Sequence, residues 1–133
     1  MASVVLRHVS DSERLTQAIE SLDYEFDHKW SPGDRRSKLK IHDSFGFNLC
    51  LVRDHDLPVG ECLEEALQEV EELDGDLSAL GLSLRGCCLD VGVMENPEFF
   101  TRTVRLSAGQ SLRLANLGVD FEATFYPSSR AES

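Results

Sequence analysis

One amphipathic stretch, from Pro58 to Leu80, constrains the fold of this chain more than any other. Its apolar residues recur every three or four positions, the spacing that places side chains on one face of an α-helix. They are Leu63, Ala66, Leu67, Val70 and Leu73. Such a helix must bury this face against a core. We expect it to end at Asp74-Gly75-Asp76 and to be followed by a short helical turn from Leu77 to Leu80.

The opposite face of this helix is acidic. From Asp54 to Leu84 the chain has ten Asp or Glu residues and no Lys or Arg. At 100° per residue, five polar side chains fall along or beside one line of the helix. They are Glu61, Glu64, Glu65, Gln68 and Glu72. Like charges four residues apart cost about a few tenths of a kcal/mol each. The face is therefore either simply solvated or a contact surface for a basic partner.

Shorter patterns predict the remaining elements. Period-two alternation predicts strands, and Ser-x-x-Glu or Ser-x-x-Gln predicts a capping box that opens a helix. The predicted strands are Ser3–Val9, Tyr24–Trp30, one or two within Leu39–Val52, Leu82–Met94, Phe99–Leu106 and Val119–Tyr126. Capping boxes at Ser10–Glu13 and Ser107–Gln110 open the first and last helices, and Gly118 ends the last one.

The resulting order is β-α-β-β-α-β-β-α-β. Because each helix has one apolar face, we expect an α+β fold with one mostly antiparallel sheet and the helices on one face, a ferredoxin-like sandwich. Residues 1–127 form a single domain in this interpretation, and residues 128–133 form a flexible C-terminal tail.

Two local patterns add detail. Tyr24, Phe26, His28 and Trp30 alternate with charged residues, so we expect them to share the dry face of one strand. Gly46 interrupts another strand, which predicts a bulge or a close approach of some other group to the backbone.

Composition excludes several classes of function. The 133 residues carry a net charge of −11, which disfavours nucleic acids and anionic membranes as partners. No apolar run approaches the roughly 18 residues of a membrane span, and the segment Met1–Ser10 lacks the basic-then-apolar order typical of a signal peptide. We therefore expect a cytoplasmic protein. Its four cysteines, including the adjacent Cys87 and Cys88, then act as small buried hydrophobes.

The positive charges cluster between Lys29 and Lys40. Lys29, Arg35, Arg36, Lys38 and Lys40 are five of the thirteen Lys and Arg residues. This segment is a solvated loop, an internal counterweight to the acidic helix, or a loop that binds phosphate or carboxylate groups. For the last case we assign a second candidate site to Trp30, Arg35 and Arg36, since Trp30 stands at a strand end beside Pro32-Gly33.

No catalytic signature is present. The chain lacks a nucleophile elbow, a phosphate-binding loop and a recognisable Cys–His–acid set. His8, His28 and His42 could approach one another across paired strands, yet their spacing does not demand a metal site. We therefore predict a non-enzymatic protein without a metal or another cofactor.

Two segments resemble an uncharacterised bacterial family, domain of unknown function 4279. The first is Trp30-Ser-Pro-Gly33-Asp34, which is similar to that family's Trp-x-x-Gly-Asp segment. The second runs from Leu106-Ser107 through the helix with Leu112 to Gly118-Val-Asp120 and a strand that ends at Tyr126. The stretch from Gly46 to Gly60 departs from the family pattern, where a shorter connection is expected. The resemblance implies the fold and no activity.

Three hypotheses for function follow. The first is an acidic protein-binding domain, in its most concrete form a bacterial immunity or inhibitor protein that occludes a toxin or enzyme with a basic surface. The second is a self-associating structural or regulatory module, such as a homodimer formed through a free sheet face or edge strand. The third is a small hydrolase or transferase that uses His28 or His42 beside the basic loop.

Overall fold

Eight elements of regular structure follow one another along the chain. A computed structural model describes residues 2–55, 58–94 and 103–126. The elements are β1 (Ala2–Ser10), α1 (Arg14–Ser21), β2 (His28–Trp30), β3 (Phe45–His55), α2 (Val59–Ser78), β4 (Cys88–Met94), α3 (Ala108–Leu117) and β5 (Asp120–Tyr126). The predicted α+β class is confirmed.

The five strands form one mixed sheet in the order β2-β3-β1-β4-β5. The pairs β2–β3, β3–β1 and β1–β4 are antiparallel, whereas β4 and β5 are parallel. The parallel pair arises because α3 carries the chain back between β4 and β5, as a helical crossover does. The sheet is therefore not purely antiparallel.

Alternation along β1 defines two faces of the sheet. Leu6 lies opposite Leu49 and Leu89, and all three are buried. The next residue, Arg7, points to the other face, since successive side chains of a strand alternate. We call the face that carries Leu6 the inner face and the face that carries Arg7 the outer face.

The hydrophobic core lies between the inner face and the helices. Helix α2 contacts β1 and β3, and it also contacts α1 and α3. Leu73 and Leu77 of α2 are fully buried. Because Leu77 continues the buried face, α2 runs without a break through Gly75 to Ser78. The predicted end at Asp74-Gly75-Asp76 was wrong because burial of Leu77 outweighs the low helix propensity of one glycine.

The predicted strand Leu82–Met94 begins only at Cys88, because residues 82–87 form a turn and irregular structure. The strand predicted within Leu39–Val52 runs from Phe45 to His55. Two other predicted strands differ further. Strand β2 has only three residues, and Tyr24 and Phe26 precede it. Phe26 packs on Phe47 of the inner face, with ring centroids 4.8 Å apart, whereas Trp30 lies opposite Gly46 on the outer face. The predicted single aromatic face was therefore wrong, because the chain turns into the sheet only at His28.

The predicted strand Phe99–Leu106 is the second difference. Residues 99–102 lie outside the described residues, and residues 103–106 have no regular secondary structure. Val104 and Leu106 are instead partly buried against the core. The described order is thus β-α-β-β-α-β-α-β. The tail predicted for residues 128–133 also lies outside the described ranges.

The two predicted capping boxes had opposite outcomes. Helix α3 has its box: the Ser107 hydroxyl accepts from the Gln110 backbone N–H at 3.0 Å, and Gly118 ends the helix at φ 69°. Helix α1 begins only at Arg14, without a side-chain cap. Ser10 instead accepts a hydrogen bond from the Ser12 N–H at 3.1 Å, so the predicted first box was wrong. Ser10 is the last residue of β1 and therefore does not cap the helix.

Residues 31–44 form a small hairpin between β2 and β3, which we call the basic hairpin. The Gly33 N–H donates to the His42 carbonyl and the His42 N–H donates to the Asp34 carbonyl, each at 2.8 Å. Leu39 at its tip is 95% exposed. At its base, the Trp30 indole occupies the space that a side chain on Gly46 would need. The predicted close approach at Gly46 is confirmed.

Leucine truncation at two positions tests this division between core and surface. Leu73→Ala removes a fully buried side chain, so we expect the free energy of unfolding to fall by about 2–5 kcal/mol. Leu39→Ala makes the same change at the exposed hairpin tip and should shift it by less than about 0.5 kcal/mol. Urea denaturation measures both values. Equal losses from the two variants would contradict the proposed packing of α2.

Candidate functional site

The solvent-facing side of α2 carries the first predicted site, and the structure divides it in two. Glu64 and Glu71 face α3 and are partly buried. A second set of carboxylates follows one line of the helix at spacings of three or four residues, and all of its members are exposed. We call it the acidic strip; it consists of Glu61, Glu65, Glu69, Glu72 and Asp76.

Arg113 of α3 neutralises the side that faces it. Its Nη1 donates to both carboxylate oxygens of Glu64, at 2.8 and 3.0 Å. Its Nε donates to Glu71 at 3.1 Å, and its Nη2 donates to the other oxygen of the same carboxylate. The planar guanidinium thus clamps two carboxylates of α2 and joins the two helices.

Two amides complete the surroundings of Glu64. Gln110 and Gln68 donate to its carboxylate at 3.2 and 3.1 Å. The hydrogen bonds from Arg113, followed by that from Gln110, lower the pKa of Glu64 to about 2. Of the five residues predicted as one contact surface, Glu64 and Gln68 therefore have internal partners. Glu61, Glu65 and Glu72 belong to the exposed acidic strip.

The acidic strip has no such counterion. Within residues 2–55, 58–94 and 103–126, no salt bridge involves any of its carboxylates. Partial burial raises the pKa of Glu69, and the charges of Glu72 and Glu65 raise it further. The pKa of Tyr24 beside the strip is raised in the same way, by burial and then by the strip's carboxylates, of which Glu69 has the largest effect. These carboxylates therefore reinforce one another's negative potential.

Sequence reasoning omitted two members of the strip from the site. Glu69 follows Glu65 by four residues, and Asp76 follows Glu72 by four residues. This helical spacing alone places both residues on the line of the strip. Asp76 lies within the predicted end of the helix, Asp74-Gly75-Asp76, whereas in the structure α2 continues to Ser78.

The basic hairpin does not balance the acidic helix. Arg36 and four other hairpin residues line a pocket together with Arg7 and Asn48 of the outer face, whereas α2 covers the inner face. Lys29, on the inner face, pairs with Glu20 of α1 at 2.9 Å. No described ion pair links the hairpin to α2. The interpretation of these cations as an internal counterweight was therefore wrong.

The pocket beneath the hairpin has a volume of about 490 Å³. Trp30 and His42 stack on one another at its side, with ring centroids 4.7 Å apart and planes 16° apart. Of the second predicted site, Trp30 and Arg36 line this pocket. Arg35 does not, since its guanidinium donates to the Lys38 carbonyl at 3.2 Å and holds the hairpin tip.

Arg7 is held in place on the outer face by a buried carboxylate. Its guanidinium lies 2.9 Å from Asp90, whose side chain is only 3% exposed. Thr124 donates its hydroxyl to the same carboxylate at 3.0 Å. A buried carboxylate needs such partners, because its desolvation is otherwise very unfavourable. The arginine itself remains 45% exposed. No sequence pattern indicated this trio, because its members come from three separate strands.

The histidines do not converge as the sequence allowed. His8 pairs with Phe47 in register, and His28 pairs with the adjacent Asn48; the two imidazoles therefore face opposite sides of the sheet. His28 and His42 both approach Trp30, with centroids 5.3 and 4.7 Å away. Within the described ranges no three His, Cys, Asp or Glu side chains are arranged to hold a metal ion. A cleft does lie beside His42, so the hydrolase or transferase hypothesis stays a prediction.

The adjacent cysteines are poor nucleophiles. Burial, aided by nearby negative charge, raises the pKa of Cys87 to about 12 and that of Cys88 to about 11. The thiolate, which is the reactive form, is therefore scarce at neutral pH. Cys87 is fully buried, whereas Cys88 lies opposite Arg7 on the outer face. The prediction that all four cysteines are buried was therefore wrong for Cys88, which lies on the outer face, and for Cys50, which is also only half-buried.

Comparisons with protein-family models, with curated proteins and with solved structures found no match to this chain. The resemblance to domain of unknown function 4279 therefore stays a prediction. Among the described helices, none combines the length and the hydrophobicity that a membrane crossing requires.

The clamp between α2 and α3 predicts a specific pH dependence. Because the pKa of Glu64 lies below its ordinary value of 4.5 in the folded protein, the stabilisation is present above pH 4.5 and is lost as the pH falls toward 2. We expect Glu64→Gln to be less stable than the wild type at pH 6, with a difference that shrinks below pH 4.5. Urea midpoints measured from pH 6 to pH 2.5 test this.

Glu72→Gln is the matched control, since it makes the same change on the same helix without an arginine partner. It should leave the urea midpoint at pH 6 unchanged or raise it slightly by reducing repulsion. A constant difference between Glu64→Gln and wild type across the whole pH range would contradict the role of the Arg113 clamp.

Proposed function

We propose that this chain is a non-catalytic protein-binding domain that contacts a basic partner through the acidic strip of α2. The observation that carries the proposal is the contrast between the two sides of the helix. Glu64 and Glu71 have an arginine at hydrogen-bond distance, whereas the strip has no described counterion. Its charge is therefore available to a second molecule.

The packing of α2 allows its surface to remain repulsive. The helix has 20 residues and seven buried side chains, so tertiary burial rather than surface charge stabilises it. Like charges along the strip then cost only about a few tenths of a kcal/mol per pair. A basic partner relieves this repulsion, and the one-signed field raises the rate of encounter.

The most concrete form of the proposal is an immunity or inhibitor protein that acts by occlusion. A 20-residue helix is about 30 Å long, which suits the width of a standard protein–protein interface. Enzymes and toxins that act on nucleic acids or nucleotides present basic catalytic faces, because their substrates are anionic. A rigid acidic helix fits such a face, and the cytoplasm is its proposed location.

The finer description of the fold belongs to the same proposal. We assign a ferredoxin-like arrangement to the part from β1 to β4, with α3 and β5 as an addition. The strand order β2-β3-β1-β4, in which every neighbouring pair is antiparallel, supports this assignment. It leaves α2 on the surface in the middle of the helix layer.

Charge reversal on the strip tests the main proposal. Glu61→Lys, Glu65→Lys and Glu72→Lys together should weaken binding of the partner recovered from the host by at least about tenfold, and should flatten its salt dependence. Isothermal titration calorimetry at several salt concentrations measures both effects.

The matched control reverses three exposed carboxylates elsewhere, Asp11, Glu13 and Asp120. It changes the net charge by the same amount, so only a local contact distinguishes the two variants. Equal loss of affinity in both would show that overall charge, and not the acidic strip, governs binding.

The second candidate function is self-association, which one observation favours. The basic hairpin and the acidic strip lie on opposite sides of the sheet, so they cannot pair within one molecule but can pair between two copies. Contacts of this head-to-tail kind extend into chains or close into rings.

Sedimentation velocity separates the two candidates. Head-to-tail association predicts oligomers at about 20 mM salt that dissociate at about 500 mM, since screening weakens exposed charge pairs. Lys38→Glu together with Lys40→Glu, at the hairpin tip, should abolish the oligomers. A single monomeric species at both salt concentrations removes self-association and leaves the separate basic partner.

A further inference from the structure

We infer that the outer-face pocket beneath the basic hairpin binds a small organic anion, a flat molecule that carries a carboxylate or phosphate group. The pocket lies on the side of the sheet opposite to α2. Neither the acidic strip nor a protein partner is involved. A positioned arginine, a second arginine and an aromatic wall surround one cavity.

Strand register places the floor of the pocket. On the outer face, Arg7 lies opposite Asn48, and Val9 lies opposite Gly46. Trp30 lies opposite Gly46 on its other side. Because directly opposed residues share a face of the sheet, these side chains meet in one region of the outer face. The absence of a side chain at Gly46 is what lets the indole lie flat against the strand.

Arg7 is the positioned anion-binding group. Asp90 holds the guanidinium at one nitrogen, at 2.9 Å, and Thr124 holds Asp90 at 3.0 Å. The Asp90 side chain is only 3% exposed, so solvent and ligand do not reach it. The Arg7 side chain is 45% exposed. A guanidinium has five N–H donors. The N–H groups of Arg7 that do not contact Asp90 remain available to an oxyanion. The contact with Asp90 fixes their orientation before a ligand binds.

The basic hairpin supplies the second arginine, Arg36, and forms the roof of the pocket. Arg36 lines the pocket, and its backbone N–H donates to the Lys40 carbonyl at 2.9 Å. Ser44 and Asn48 add neutral hydrogen-bonding groups at the wall. A ligand held between a floor arginine and a roof arginine gains charge-assisted hydrogen bonds from two directions.

The side wall selects the body of the ligand. Trp30 stacks on His42, and the Trp30 Nε1 is buried without a hydrogen-bond partner among the described residues. Val9 and Ile41 line the pocket and are 64% and 66% exposed. Exposed aliphatic side chains beside an aromatic plane suit a flat apolar body. The volume of about 490 Å³ lies in the range of small-molecule sites, about 300–1,000 Å³.

The electrostatics restrict the ligand to a small anion. Asp43 also lines the pocket, and the chain as a whole carries a net charge of −11. A long polyanion such as a nucleic acid needs many cations along its backbone, and this surface does not offer them. Asp90 already balances the charge of Arg7. The pocket therefore suits a ligand with a single negative charge, which Arg7 and Arg36 contact by charge-assisted hydrogen bonds.

Intrinsic fluorescence tests the inference directly, because Trp30 is the only tryptophan of the chain and lines the pocket. The probes are phenyl phosphate and benzoate, with benzyl alcohol as the neutral analogue. We expect a saturable change in Trp30 emission with at least one of the two anions, at a Kd of about 1 mM or tighter. Benzyl alcohol should bind at least about tenfold more weakly. Comparison of the two anions identifies which oxyanion the site prefers.

Two variants locate the binding. Arg36→Gln should weaken the bound anion by about tenfold or more, since it removes a charge-assisted contact. Arg7→Lys keeps a cation beside Asp90 but loses the forked donors, so it should weaken binding to a similar extent. Urea denaturation verifies that each variant is folded. Lys38→Gln is the matched control, because it removes one charge from the same hairpin outside the pocket, and it should change the Kd by less than about twofold.

Three results would overturn the inference. The first is the absence of a saturable emission change with both anions up to about 10 mM. The second is an equal loss of affinity in Arg36→Gln and Lys38→Gln, which would indicate a long-range charge effect. The third is equal affinity for benzyl alcohol, which would indicate an aromatic site without anion recognition.

Discussion

The burial of one face of α2 against β1 and β3 is the interaction on which the rest of the structure depends. Seven side chains of this helix are buried, and they meet the buried residues of the inner face, such as Leu6 and Leu49. Helices α1 and α3 pack on either side of α2. Since hydrophobic burial is the main favourable term in folding, this contact determines which side of the sheet the helices cover.

The helix layer and the outer face of the sheet therefore carry different charged groups. The helix layer exposes the acidic strip, while the outer face and the basic hairpin together expose Arg7 and Arg36. The sheet keeps these charges apart, so they do not cancel. A molecule with a net charge of −11 thereby presents two arginines in one pocket. Net charge alone describes neither surface of this protein.

Ion pairs then hold charged side chains in place on both sides of the sheet. Arg113 ties Glu64 and Glu71 to α3, and Asp90 ties down Arg7. In the first case all three side chains are partly exposed, and the contacts join two helices. In the second case the carboxylate is buried, whereas the arginine is 45% exposed. The two sets of contacts thus differ in which charged group remains accessible to solvent.

Local periodicity was a good guide where one pattern decided the structure. The apolar spacing of α2, the capping box at Ser107 and the alternation of β5 all appear in the structure. It failed where a distant contact decided. The burial of Leu77 extended α2 past Gly75, and the entry of the chain into the sheet at His28 divided the aromatic residues between two faces. Leu39 and Ile41 fit the alternation of a buried strand, yet the hairpin exposes both.

By itself, the sequence determined the α+β class, the amphipathic acidic helix and the segregation of cations after Trp30, because these depend on residues that are close together in the chain. Only the tertiary structure decided which of those charges are available. The Arg113–Glu64 contact spans 49 residues and the Thr124–Asp90 contact spans 34. Pairs so distant leave no local periodic signal. They exist because the packing of helices and the register of strands bring remote side chains to within hydrogen-bond distance.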